Sequence, residues 1–206
     1  AHADALEAIE DIAPWRDTAR RAAELYRDLL TARPDDRVLR RGLTASRLSL
    51  GEAHRVAGDL ADALAILEES ETEFAALAAG DINDIASLHY LALTKIRIGK
   101  VLFAQGMADA SFAVFDAALD ISERLVATEP DNLEYRHELY ACHANIGLIL
   151  EGRGDRRGAL ASFDRAIDIA SRLIDQDPSN GTWRAERQLI EAGAARVRRA
   201  LAEARN

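Results

Sequence analysis

The sequence predicts an all-α fold, a right-handed α-solenoid of antiparallel helical hairpins with about 8–9 helices. Two sets of glycines return at intervals of 48 residues, and the apolar residues between them recur at three- and four-residue steps, as on one face of a helix. A repeat of this length indicates a stack of like units, since one unit cannot bury its apolar face alone. The glycines are Gly51, Gly99 and Gly147 in one set, and Gly58, Gly106 and Gly154 in the other.

Prolines mark where helices end. Pro34, Pro130 and Pro178 share one phase of the repeat, with Ile82 at the fourth equivalent position, and an Asp or Asn follows closely in each case. Proline cannot continue a helix, and a short polar side chain after it can accept hydrogen bonds from the first N–H groups of the next helix. Gly58, Gly106 and Gly154 are expected in the left-handed conformation that closes a helix, and Asp59 is expected to cap the helix that follows.

These signals set the predicted elements. Helices are expected near 14–33, 37–57, 60–79, 83–105, 108–128, 132–152, 156–176 and 182–204, with the end of a further helix in 3–10. Each repeat then has a helix A before the glycine link and a helix B after it. The repeats are 1–34 (partial), 35–82, 83–130, 131–178 and a capping helix in 179–206, forming a single domain over 1–206. The partial first repeat leads us to expect a fragment of a longer chain.

The spacing of several residues resembles the tetratricopeptide repeat family. The residues that carry the resemblance are Leu50, Gly51, Ala63 and Leu67, then Ile98, Gly99, Phe115 and Ala118, then Ile146, Gly147, Ala159, Phe163 and Ala166. The usual unit has about 34 residues, so this chain resembles the longer-repeat arrays of bacterial proteins. The resemblance implies a non-catalytic scaffold that binds a protein or peptide along the concave face of its A helices.

Projecting that face onto the A helices selects a mixed surface, apolar in the middle and basic toward one rim. Its candidate binding residues are Arg41, Leu48, Glu52, His89, Ile96, Lys100, Phe103, Arg136, His137 and Leu148. Arginine can hold a carboxylate or phosphate through two hydrogen bonds, so the rim could attract an acidic segment. The alternative is that Arg41, His89, His137 and their neighbours pair with helix B carboxylates of an adjacent repeat.

Composition limits the partners. The net charge of −9 disfavours nonspecific binding to nucleic acid, and no uncharged stretch approaches the roughly 20 residues of a membrane span. A single cysteine cannot form an internal disulfide, in keeping with a cytoplasmic protein.

The sequence favours neither catalysis nor a metal site or cofactor. Cys142 and His143 are adjacent, but neighbouring helical residues point in different directions, and Cys142 occupies a packing position of the repeat. The histidines lack metal-site spacing, and Asp116/Asp120 and Asp164/Asp168 are expected to form ion pairs. The alternative to partner binding is a regulatory or self-assembly domain that packs against an attached effector domain or another copy of itself.

Overall fold

The computed structural model describes residues 2–81 and 83–204, with side chains described from residue 12 onward, and this part of the chain contains helices and no strand. The helices are α1 (His2–Ala32), α2 (Arg37–Ala57), α3 (Leu60–Gly80), α4 (Ile85–Ala104), α5 (Ala108–Thr128), α6 (Leu133–Gly152), α7 (Arg156–Gln176) and α8 (Gly181–Glu203). The predicted all-α fold is confirmed, and the handedness of the stack stays a prediction. Ile82 lies outside the described residues.

The first helix corrects one predicted boundary. A break was expected between segments 3–10 and 14–33, but α1 runs without interruption from His2 to Ala32 and contains Pro14. Proline removes one backbone donor, but the alanine, leucine, glutamate and arginine residues around it are strong helix formers. The two predicted segments are therefore one long helix at a helix B position.

The chain forms two compact units, Ala1–Met107 with α1 to α4 and Ala108–Asn206 with α5 to α8. In the first unit α1 packs on α2, α2 on α3 and α3 on α4; in the second α5 packs on α6, α6 on α7 and α7 on α8. Because the links within each unit are short, consecutive helices run antiparallel. The single domain over 1–206 stays a prediction.

The glycine links have the predicted backbone. Gly58, Gly106 and Gly154 have φ angles of 86°, 78° and 81°, in the left-handed region. At the first link the Asp59 N–H donates to the His54 carbonyl at 2.9 Å, the hydrogen bond that closes a helix around a left-handed residue. The prediction that the Asp59 side chain caps α3 is wrong, because this side chain makes no capping hydrogen bond within the described residues. Its carboxylate instead accepts from Arg16 and lies 3.4 Å from His54 Nδ1.

The Asp and Asn residues after the helix stops begin the A helices as predicted. Asp36, Asn132 and Asn180 each accept hydrogen bonds from backbone N–H groups in the first turns of α2, α6 and α8. Asp84 accepts from the Ser87 N–H at 3.0 Å and from the Ser87 hydroxyl at 2.7 Å. These side chains provide acceptors for backbone N–H groups in the first turn of a helix, which have no partner within the helix.

Helices A and B of one repeat meet where a glycine faces a large side chain. A Cβ added at Gly51 would lie 2.9 Å from Leu67, and one added at Gly147 would lie 2.5 Å from the Phe163 ring. Leu67 and Phe163 are fully buried. These two glycines therefore allow the close approach of α2 to α3 and of α6 to α7.

Candidate binding surface

Two of the predicted binding residues belong to the core. Leu48 and Ile96 have exposed fractions of 5% and 2%. A side chain buried to this extent cannot contact a partner without rearrangement of the helices. Their assignment to an open binding face is therefore wrong.

Glu52 is also buried, with an exposed fraction of 7%. Its carboxylate accepts hydrogen bonds from Arg55 Nε and Nη2 at 2.7 and 2.8 Å, and a further one from Arg97 on α4. Both guanidinium groups lie within the first unit, so the charge of Glu52 is balanced internally. Glu52 is a link between α2 and α4 rather than a ligand-facing group.

In the first unit, Asp84 pairs with Arg41 of the basic rim and with Arg37. Arg41 Nη1 donates to Asp84 Oδ1 at 2.8 Å, and Arg37 Nη2 donates to Asp84 Oδ2 at 3.2 Å. Burial alone would raise the pKa of the Asp84 carboxyl. The hydrogen bonds from Ser87 and Arg37 and the charge of Arg41 outweigh burial and hold its pKa below the ordinary value.

The rim of the second unit is also paired. Arg136 Nη2 lies 3.4 Å from Asp131 Oδ1, and His137 Nε2 lies 2.9 Å from Glu186 Oε2 on α8. Ion pairing was the expected alternative to a free basic rim. The partners differ from the expected helix B carboxylates, since Asp84 and Asp131 precede A helices and Glu186 lies within one.

Aromatic side chains gather where α6 and α8 begin. The His137 ring stacks on Tyr140 at a centroid distance of 5.7 Å and lies 6.2 Å from the Trp183 ring. His137 and Trp183 are half-buried, so part of each side chain reaches solvent, whereas Tyr140 is buried. Burial and the charge of Glu186 raise the pKa of Tyr140, which keeps its phenol neutral. Leu148 lies further along α6, half-buried beside the core of this unit. We call the surface formed by His137 and Leu148 of α6 and Trp183 of α8 the α6 surface.

In the first unit, the end of α4 presents apolar groups to solvent. Phe103 and Met107 are 43% and 50% exposed. Lys100, one turn earlier, is half-buried, and so is His89 near the start of the helix, where its ring stacks on Tyr90. Of the predicted binding residues in α4, Phe103 is therefore the most accessible.

The first unit also has a cleft that the sequence prediction missed. It has a volume of about 460 Å³ and lies between α1 and α2, with Trp15 and Tyr26 on one wall, Arg41 and Ser49 on the other, and Tyr90 of α4 beside them. The Trp15 indole donates a hydrogen bond to the Ser49 hydroxyl at 2.8 Å. Comparing α1 with the other B helices could have found it, because Ala19 stands where they have Leu67, Phe115 and Phe163.

The residues considered for catalysis occupy structural positions. Cys142 is fully buried, with its Sγ 3.9 Å from the Ser122 hydroxyl, as its repeat position predicted. Burial and the charge of Arg165 lower the pKa of His143. Asp164 and Asp168 pair with Arg198 and Arg172, as expected for a solvated helix face.

Comparison with known proteins does not assign the chain to a family. No family model and no curated protein matches the chain. Among solved structures, the crystal structure of BtubC (BKLC) from P. vanneervenii matches with a TM-score of 0.42 and 17% identity, over 95% of this chain and 92% of that one. None of the described helices is long and apolar enough to cross a membrane.

Proposed function

We propose that this chain is a non-catalytic interaction module that binds a segment of a partner protein on its A helices. The observation that carries the proposal is the α6 surface, where the His137 ring stacks on the buried Tyr140 and lies beside Trp183, and both His137 and Trp183 are partly exposed. Aromatic groups backed by a rigid core are typical of the residues that dominate binding energy at protein interfaces. The resemblance to tetratricopeptide repeats, whose A helices line the binding face, supports the same placement.

The ion pairs of the basic rim indicate what kind of partner segment suits this chain. Arg41, Arg136 and His137 already contact carboxylates of the same chain, so an acidic segment would have to compete with those internal ion pairs. The accessible groups of the α6 surface are instead aromatic and aliphatic. A segment with apolar side chains therefore suits this surface better than a purely acidic one.

The absence of a catalytic role is part of the proposal. Cys142 is buried, and each carboxylate of the Asp164/Asp168 pair contacts an arginine. These groups serve packing and surface charge. They provide no exposed nucleophile with an adjacent base.

A matched set of variants tests the proposal. Proteins captured by the wild-type chain from its source cells would be compared with those captured by Trp183→Ala and by the control Arg172→Ala. The control removes a 69% exposed side chain that pairs with Asp168 one turn earlier on the same helix. We expect Trp183→Ala to weaken the binding of one wild-type partner by about 2 kcal/mol, which is roughly thirty-fold in affinity. The control should bind that partner as the wild type does. Retention of every partner by Trp183→Ala, with purified components confirming equal affinity, would refute the α6 surface as the binding face.

A further inference from the structure

Glu186 brings a carboxylate to the edge of the α6 surface. It lies three residues after Trp183 on α8, and residues at this spacing are neighbours on the surface of a helix. Its Oε2 lies 2.9 Å from Nε2 of His137, so the carboxylate also adjoins the histidine ring of α6. The side chains of His137 and Glu186 are 36% and 34% exposed, and Trp183 is half-buried. An acid and two aromatic rings are therefore accessible at the same place.

The Glu186 carboxylate can accept more hydrogen bonds than it receives. An ionised carboxylate has two oxygens with about four acceptor sites. Within the part of the chain that the structure describes, His137 is its hydrogen-bond partner, and the bond is made at Oε2. The carboxylate thus keeps acceptor capacity at Oε1 for a donor from another molecule.

The arginines closest to Glu186 in the sequence are engaged elsewhere. Arg187 Nε lies 3.2 Å from Glu191 Oε1, one turn further along α8. Arg184 Nη1 donates to the backbone carbonyl of Pro178. Among the described contacts, neither guanidinium group is paired with Glu186. A cationic group from outside the chain would therefore not have to displace either arginine from this carboxylate.

Further carboxylates lie around the start of α6. Burial raises the pKa of the Tyr135 phenol, and the negative charges of Glu129, Glu138 and Glu134 raise it further. Tyr135 therefore stays neutral and does not offset these charges. Together with Glu186, the three glutamates favour the approach of a cation and oppose the approach of an acidic segment.

We infer that the α6 surface selects a partner segment that carries a lysine or arginine beside apolar side chains. The cationic group would lie between the Glu186 carboxylate and the Trp183 ring. A cation is attracted to the face of an indole ring, and an ammonium or guanidinium group donates strong hydrogen bonds to a carboxylate. The apolar side chains of the segment would contact Leu148. This inference rests on the proposed function and adds the charge of the partner to it.

Two matched peptides test the charge requirement. They are acetyl-Leu-Arg-Leu-amide and the same peptide with citrulline, which has nearly the shape of arginine but no charge. Binding is followed by the indole N–H resonance of Trp183 in the Trp15→Phe chain, which retains one of the two tryptophans. We expect the arginine peptide to shift this resonance with roughly five-fold higher affinity than the citrulline peptide.

Glu186→Gln in the same background should remove the preference for arginine. Glu203→Gln is the matched control, because it removes one negative charge from the same helix about 25 Å away and should keep the preference. Circular dichroism checks that each variant is folded. The inference would be overturned by equal affinity of the two peptides, by the absence of any binding, or by an arginine preference that persists in Glu186→Gln.

These results can be told apart from a failure of the proposed function. If Trp183→Ala loses a captured partner while the two peptides bind equally, the α6 surface is the binding face and the charge requirement is wrong. If the arginine preference depends on Glu186 while Trp183→Ala retains every captured partner, the surface binds cations as inferred and the proposed function is wrong.

Discussion

Phe163 lies so close to Gly147 that a Cβ on the glycine would come within 2.5 Å of the ring. The ring is fully buried and cannot move away without disturbing the core of the second unit. Replacing this glycine therefore tests how α6 and α7 pack.

Gly147→Ala is expected to lower the free energy of unfolding by roughly 1–3 kcal/mol through overpacking, with a larger loss for Gly147→Leu. Chemical denaturation followed by circular dichroism measures the change. Gly152→Ala is the matched control on the same helix, since an added Cβ there would meet nothing within 4 Å among the described residues. Equal stability of Gly147→Ala and the wild type would contradict the packing role.

Gly154→Ala isolates the backbone conformation from packing. The φ angle is 81°, and a Cβ would meet nothing within 4 Å in the part of the chain that the structure describes. The expected loss is about 1 kcal/mol, because an L-residue is strained in the left-handed region. Gly154→Asn should lose less, as asparagine tolerates that region better. We expect the melting temperature to be highest for the wild type, lower for Gly154→Asn and lowest for Gly154→Ala. A reversed order would contradict the role of the left-handed backbone.

The Asp84 carboxylate should make the first unit sensitive to acid. Its pKa in the folded state lies below the ordinary 3.8, so its stabilisation is present above the unfolded-state pKa and is lost as the pH falls through the folded-state value. Asp84→Asn should reduce stability at neutral pH by about 1–3 kcal/mol and flatten this part of the acid dependence.

Denaturant titrations at several pH values measure both effects. Asp131→Asn is the control, because Asp131 is 98% exposed and its ion pair with Arg136 should contribute less than about 1 kcal/mol. An unchanged pH profile in Asp84→Asn would show that the partly buried ion pairs of Asp84 with Arg37 and Arg41 do not govern acid stability.

The Cys142 thiol should be inert in the folded protein. Its side chain is fully buried, so a thiol reagent can reach it only when the second unit opens. Labelling with such a reagent is expected to be slow in native buffer and to accelerate with denaturant in step with unfolding. Fast labelling of the folded chain would contradict the burial and reopen a chemical role for this residue.

The sequence predicts best what is decided locally. The left-handed Gly58, Gly106 and Gly154 and the capping Asp36 and Asn132 depend on a few neighbouring residues, and the structure confirms them. The continuous α1 was missed because the phase of the repeat placed the end of a helix A in 3–10, although Glu10 stands at the position where Gly58 ends the next helix A.

The binding residues were harder to predict because they depend on distant parts of the chain. Successive helical residues are turned by about 100°, so a small error in the projected stripe moves Leu48 and Ile96 from an open face to a buried one. The charge of Arg41 is balanced by Asp84, 43 positions further along the sequence. Such pairing can be recognised only once the helices are placed side by side.

The carboxylate of Glu52, held between Arg55 and Arg97, has a consequence for engineering. The equivalent positions in later repeats hold Lys100, Leu148 and Arg196, so no average of the repeats would retain an acid there. An idealised array built from such an average would stack well, but each module could replace any other. In the natural chain, Glu52 is the acidic residue among these four equivalent positions, so it makes the repeat 35–82 different from the repeats after it.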